Sequence, residues 1–275
     1  MIIVTGASGR LGRAVVEHLL ELVPAEEVGV SVRDPERVAG LRARGVRVRR
    51  GDYAGLGPSI EGATSLLLVS APLLGESLLT THEAAIEAAA AAGVKHVFYT
   101  SHMGANPESP FPPMRGHAAT ERMLAGSGLS HTVLRNGFYA NTVSRLMGSA
   151  LESGELRVPE DGPVAWTTHE DLAAAAARVL VDGAAGGPTP PLTGPAEVDM
   201  AEAAAIASRV TGRPIRRVVV PADEFKQGLP EPTATMMAGM FEAARRGEFR
   251  PAGPALAGLI GRPATSLEDY LRQVL

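Results

Sequence analysis

Hydrophobic positions in the first 135 residues follow two alternating rhythms. Short apolar or β-branched runs at Ile2–Thr5, Val28–Val32, 46–49, 65–69, 94–100 and 130–135 read as strands. Between them apolar residues return at helical spacing. Over 10–22, Leu11, Val15, Leu19 and Leu22 fall on one face. Asp34-Pro35 opens a further helical segment, with Asp34 as N-cap and Pro35 in the first turn. Helix 77–92 stops at Gly93, and helix 115–126 precedes the sixth strand. The run 65–69 is apolar on both faces, as a strand covered on both sides must be. Strand–helix alternation of this kind predicts an α/β fold, a doubly wound parallel sheet of the Rossmann type.

Beyond residue 137 the rhythm loosens. Thr168-His169-Glu170-Asp171 reads as a capping box ahead of helix 171–182. The Gly- and Pro-rich stretch 183–195 reads as a surface connection. Helices are expected near 199–211, 233–247 and 266–274, a strand at 215–220, and irregular chain through 228–263. The predicted organisation is a nucleotide-binding core over 1–150. A smaller mixed α/β C-terminal lobe, 151–275, packs closely on it over the carboxyl ends of the strands, as a substrate-binding lobe.

One glycine pattern changes this from a fold into a site. Gly6-Ala7-Ser8-Gly9-Arg10-Leu11-Gly12 is G-x-x-G-x-x-G between the first strand and the first helix. The tight turn, the close approach of backbone N–H groups to a pyrophosphate, and helix–sheet packing each require a residue without Cβ. The helix N-terminus adds a field that favours phosphate. NAD-binding units place an acid at the end of strand two, but here the strand ends Val32-Arg33. An arginine there meets a 2′-phosphate by charge-assisted hydrogen bonds, with Arg10 as a second partner, which favours NADPH over NADH. Asp52 and Tyr53, after strand three, either flank the adenine or pack ordinarily.

The chemistry expected on such a sheet is partly missing. The tyrosines are Tyr53, Tyr99, Tyr139 and Tyr270, and four residues on from each stand Gly57, Met103, Val143 and Val274. No Tyr-x-x-x-Lys pair exists. On the helix after strand five stands His117, with Glu121 one turn on. His117 either bonds the nicotinamide ribose or donates a proton, and Glu121 either fixes its tautomer or forms an ordinary exposed helix pair. Ser101 follows strand five where nicotinamide-proximal groups lie, with His102 beside it. His18, His82, His96 and His131 read as surface or core residues.

Composition removes whole classes. With no cysteine there is no disulfide, thiolate nucleophile or cysteine-held metal, and no metal site is expected. A formal charge of −4 gives no basic field for nucleic acid or anionic lipid. No basic leader or apolar run of bilayer length stands out, which suits a cytoplasmic protein.

The phosphate loop, Val32-Arg33, Asp52-Tyr53, Tyr99-Thr100-Ser101, His117–Glu121, Leu134–Asn141 and 260–265 together resemble the NmrA-like atypical short-chain dehydrogenase/reductases. Within them the likeness is to the NADPH:quinone and triphenylmethane reductases. The resemblance implies NADPH without flavin or metal, and hydride transfer to a quinone-like or other electrophilic aromatic acceptor. It implies Gly6 to Leu11 on the pyrophosphate, Arg33 on the 2′-phosphate and Ser70-Ala71 beside the adenosine. Thr100 and Ser101 fall among its cofactor contacts. Asn136 to Asn141, including Asn136, Gly137, Phe138 and Tyr139, would line the nicotinamide and acceptor cleft. His117, Tyr139 and Asn136 are the candidate catalytic residues; Phe138 and Tyr139 equally suit the start of a core helix. His169 stands where the family pattern has arginine. Some members are redox-sensing regulators that bind NADP(H) without turnover, so a protein partner enters only under that alternative. A homodimer is compatible with either reading.

Overall fold

The computed structural model describes residues 1–183 and 186–275. In chain order its elements are β1 (Ile2–Thr5), α1 (Arg10–Leu22), β2 (Val28–Val32), α2 (Ala39–Ala43), β3 (Arg47–Arg50), α3 (Gly57–Ile60), β4 (Ser65–Leu68), α4 (Gly75–Ala91), β5 (His96–His102), α5 (Pro112–Gly126) and β6 (His131–Asn136). There follow β7 (Phe138–Tyr139), α6 (Asn141–Ser153), β8 (Glu155–Val158), β9 (Trp166–Thr167), α7 (His169–Asp182), β10 (Gly187–Pro188), α8 (Met200–Thr211), β11 (Arg216–Val219), α9 (Ala222–Gln227), α10 (Thr233–Arg245), α11 (Ala255–Ile260) and α12 (Leu267–Val274).

Seven strands form one parallel sheet in the order β10-β6-β5-β4-β1-β2-β3. The order reverses between β1 and β4, the switch point at which such sheets bind ligands. Ile3 pairs with Gly29 on one side and with Leu66 on the other. β1, β2 and Leu66 to Leu68 of β4 are buried, as their largely apolar runs require, with Thr5 and Ser31 the buried polar positions among them. On α1 the buried face is Leu11, Gly12, Val15, Val16 and Leu19. Leu22, expected on that face, is only half-buried, because the helix ends there.

The chain forms two compact units that interleave along the sequence. The first is 1–101, 116–135 and 169–190; the second is 102–115, 136–168 and 191–275. Contacts therefore group differently from a single cut at residue 150. Helix α7, far along the chain, returns to the first unit and packs on α1. The second unit has its own core, built around Phe111, Phe138, Trp166, Phe241 and Phe249.

Several elements correct the sequence reading. Phe138 and Tyr139 are a short strand paired with Trp166–Thr167, not the start of a helix. Within 228–263 the helix expected near 233–247 is α10, and what the reading of irregular chain lacked is α11. The 183–195 stretch is not all surface: Gly187–Pro188 extends the sheet beside Thr132 and Val133, and Leu192 and Thr193 are buried. Its residues 184–185 lie outside the described ones. Asp34 does cap, accepting from the Glu36 N–H, but what it starts is a tight 3-10 turn leading to the short α2. Among the described residues no helix is long and apolar enough to cross a membrane.

Candidate functional site

A cleft of about 500 Å³ opens in the first unit at the switch point. Of the residues expected to hold a dinucleotide, Gly6, Ser8, Gly9, Arg10, Leu11, Gly12, Arg33, Asp52, Tyr53, Ser70 and Ala71 line it. One of its walls is the β1–α1 turn. Gly6 stands at φ +63°, which favours glycine. A Cβ on Gly12 would lie 2.5 Å from the Gly6 carbonyl oxygen, so that position has no room for a side chain. The Gly9 N–H closes the turn on the Gly6 carbonyl at 2.9 Å. Gly9 is the N-cap of α1, and no side chain caps the helix. The first amides of a thirteen-residue helix therefore point toward the cleft without a side-chain acceptor.

Two arginines flank this turn. Arg10 and Arg33 are both exposed, and among the described residues neither guanidinium has a hydrogen-bond or ion-pair partner. Most other arginines here are committed; Arg50 Nε, for instance, donates to the Arg33 carbonyl at 3.1 Å and steadies the end of β2. Such an arrangement of free donors and free positive charge suits a bound phosphate. His169, where the family pattern has arginine, has its pKa pushed down to about 4 by burial and by Arg10. It is neutral at pH 7 and adds no charge.

The opposite wall is the turn after β4. Its successive amides are held by side chains from three elements. Val69 N–H donates to Thr5 Oγ1 (2.9 Å), Ser70 N–H to Thr100 Oγ1 (2.8 Å) and Ala71 N–H to His82 Nε2 (3.0 Å). The Thr5 hydroxyl in turn donates to the Leu67 carbonyl at 3.1 Å, and the Tyr53 hydroxyl donates to the Val69 carbonyl. Tyr53 thus lines the cleft with its hydroxyl tied back, and burial raises its pKa. Asp52 caps the 53–55 turn, accepting from Gly55 N–H at 2.9 Å.

Other expected site residues are placed differently. Ala7, Thr100 and Ser101 are buried and do not line the cleft. Thr100 acts on the wall through Ser70, and Ser101 donates to Glu121 Oε1 at 2.6 Å. Glu121 is bound to the Arg135 guanidinium through both oxygens, at 3.2 and 2.7 Å. It neither sets the His117 tautomer nor forms an exposed helix pair: its side chain is 13% exposed. His117 Nδ1 instead meets the Tyr99 hydroxyl at 2.8 Å. Burial pushes the His117 pKa down to about 3 and the Tyr99 pKa far up. A ring neutral at pH 7 holds no imidazolium proton to deliver, which leaves His117 a hydrogen-bonding role.

Asn136, Gly137, Phe138 and Tyr139 belong to the second unit. Asn136 is 2% exposed, and its Oδ1 has no partner among the described residues. Burial pushes the Tyr139 pKa up to about 12 against the opposing effect of a hydrogen bond with the Asn136 side chain. Gly137 is wedged where a Cβ would meet Thr167 Oγ1 at 2.2 Å. Phe138 sits in an aromatic cluster, with ring centres 4.7 Å from Phe249 and 5.4 Å from Trp166. It is core. A wider hollow of about 700 Å³ in this unit gathers no free cation, since its Arg245 is already paired with Glu242.

The family model of the NmrA-like family matches residues 1–271. The chain belongs to the NmrA-like family. It is 36% identical to quinone oxidoreductase 2 of Escherichia coli over 98% of this chain and 96% of that protein. The crystal structure of the E. coli NADPH-dependent quinone oxidoreductase complexed with NADPH superposes with a TM-score of 0.94 at 35% identity, covering 100% of this chain and 99% of that one. The Citrobacter sp. triphenylmethane reductase complexed with NADP(H) gives 0.92 at 33% identity, with both chains fully covered. An NmrA negative transcriptional regulator in complex with NADP reaches 0.78 at only 19% identity over 99% of this chain and 94% of that one, a likeness of fold alone.

Sequence reasoning missed several residues of this NmrA-like site. Thr5 and His82 hold the far wall, and Ser31, Gly51 and Val69 line the cleft. Thr5 had a signal, a polar residue closing an otherwise apolar strand. His82 had none, for it sits in an alanine-rich helix where a histidine carries no pattern.

Proposed function

We propose that this chain is an NADPH-dependent reductase that passes a hydride to a quinone-like or other electrophilic aromatic acceptor, without flavin or metal. The observation that carries the reading is the coincidence, in one cleft, of an uncapped helix N-terminus with two unpaired arginines. NADPH, when bound, supplies the hydride. Everything else falls to the chain's own residues.

The Gly6–Gly12 backbone holds the pyrophosphate, and Arg33, with Arg10, reads the 2′-phosphate. Tyr53, Ser70 and Ala71 form the adenosine side. An electrophilic acceptor needs little activation, so the protein mainly orients rings and excludes water. Tyr139 stays protonated at neutral pH and serves as a hydrogen-bond donor to oxygen that gains charge. The Asn136 carboxamide, with its free buried Oδ1, would accept from a donor such as the nicotinamide amide N–H. Solvent completes the balance with a proton.

The support is a family membership over nearly the whole chain, together with relatives whose names state NADPH-dependent quinone reduction and triphenylmethane reduction. The regulatory alternative rests on a likeness of fold alone. The test is NADPH oxidation with a panel of quinones and triphenylmethane dyes. Acceptor-dependent oxidation is expected; its absence across the panel, with NADPH bound, would overturn the reductase reading.

A further inference from the structure

A backbone N–H can only donate, so the nitrogen that meets the Ala71 amide, His82 Nε2, carries a lone pair. A neutral imidazole has one N–H, which must then sit on Nδ1. That atom lies 2.8 Å from Thr120 Oγ1. The Thr120 hydroxyl spends its own hydrogen on the Gly116 carbonyl at 2.9 Å, so it is free to accept. The chain of donors runs one way, from His82 through Thr120 to the backbone of α5. It works only with a neutral ring in the Nδ1–H form.

The surroundings enforce that state. His82 is fully buried. Tyr53 and Tyr99 pack on it, with ring centres at 6.1 and 5.5 Å, and the nearby titrating ring is His117. These groups are uncharged at neutral pH, and among the described residues the ring's hydrogen-bond partners are the Ala71 amide and the Thr120 hydroxyl, neither of them a carboxylate that could hold an imidazolium. Burial accordingly pushes the His82 pKa down to about 4.

We propose that His82 is a positioning residue of the dinucleotide cleft: its neutral Nδ1–H ring fixes Ala71, and with it the wall Val69–Ala71, in the shape that binds NADPH. The inference rests on the NADPH reading above. His82 does not line the cleft; it works through the Ala71 amide.

Two variants test it. His82→Phe keeps the aromatic packing and removes both hydrogen bonds. His82→Gln keeps a carbonyl to accept and an amide to donate. For the wild type at pH 7, ¹⁵N shifts of the histidine ring should report the neutral Nδ1–H tautomer, and the Ala71 amide should exchange slowly. His82→Phe should weaken NADPH binding about tenfold, the scale of one orphaned buried donor. It should raise KM for NADPH while kcat at saturation stays within about twofold. His82→Gln should bring affinity back within about threefold.

An Nε2–H or charged ring in the wild type overturns the proposal. So does unchanged NADPH affinity in folded His82→Phe. Should His82→Phe not fold, a tenfold loss in His82→Gln with a protected Ala71 amide is the overturning result, and near-wild-type affinity the supporting one. Failure of the wild type to bind NADPH sinks the cofactor reading itself. That failure is distinguishable, because tautomer and amide exchange are read without nucleotide.

Discussion

The two walls of the cleft solve opposite problems with the same backbone groups. Along Gly6–Gly12 the amides at the start of α1 are left without side-chain acceptors. Along Val69–Ala71 each of three consecutive amides is taken by a side chain: Thr5, Thr100 and His82. The first wall offers backbone donors to a ligand; the backbone amides of the second are all taken, and it is fixed in shape. An anion has one place to go in this cleft, and a planar group can rest on a surface that will not rearrange. Specific binding needs both, since donors fix the anionic part of a ligand while a rigid counter-wall fixes the rest of it.

The largest break in the comparison comes from filling the glycine turn. Gly12→Ala forces a methyl to within 2.5 Å of the Gly6 carbonyl oxygen, and the atoms it meets are all backbone. We expect a loss of about 3 kcal/mol in stability and no measurable NADPH binding. Urea denaturation and a nucleotide titration check the two parts. Native stability with intact binding would mean that the turn is looser than its geometry.

Acid separates the walls next, since the clamped wall contains a titrating ring and the glycine turn contains none. Folding holds the His82 pKa near 4, below the ordinary 6.5. As pH falls through 6.5 the unfolded chain takes up the proton first. The stability is therefore complete above about pH 6.5 and declines toward pH 4. His82 alone accounts for about 3 kcal/mol across that window. His117 and His169, also held neutral, act in the same direction. Denaturant midpoints of the nucleotide-free protein between pH 7 and 4 should fall accordingly. In His82→Gln, where the charge cannot form, the fall should be shallower.

Arg33→Ala tests the open wall alone. Removing one charge-assisted contact should weaken NADPH by 10- to 100-fold, about 2 kcal/mol, and leave NADH binding unchanged. Fluorescence titration of both nucleotides decides it. Equal losses for both would show that Arg33 does not read the 2′-phosphate.

How far the sequence disclosed this site depends on where each signal lies. Glycine spacing is local, and Gly6–Gly12 sits in the structure where the pattern places it. The strand run of the first unit was equally legible, because buried parallel strands are continuous apolar runs. The second unit was harder. β7, β9 and β10 are two residues each, too short to carry a period, and exist only through partners distant in sequence. Helix α6 carries a readable stripe in Val143, Met147 and Ala150, so a core helix is legible here, but it begins at Asn141, after the short strand β7 that the sequence does not distinguish from a helix start. Thr100 and Ser101 read as cofactor contacts because they end a strand at the right edge. Their side chains in fact turn to Ser70 and Glu121. Such partners are 20 to 30 residues away, and no local pattern encodes them.

The smallest effect separates wall shape from wall contact. Thr100→Val keeps the buried volume but gives the Ser70 amide no acceptor. The hydroxyl is 2.8 Å from that N–H and does not line the cleft, so any change in nucleotide affinity must travel through the backbone. One orphaned donor costs about 1 to 2 kcal/mol, part in stability and part in the precision of the wall. A drop of that size in the denaturant midpoint, with NADPH and NADH both weakened a few-fold, marks a shape effect. The Arg33 variant, by contrast, should discriminate between the two nucleotides. A Thr100→Val protein that discriminated as Arg33→Ala does would mean that the clamped wall touches the extra phosphate, and the division of labour between the two walls would fail.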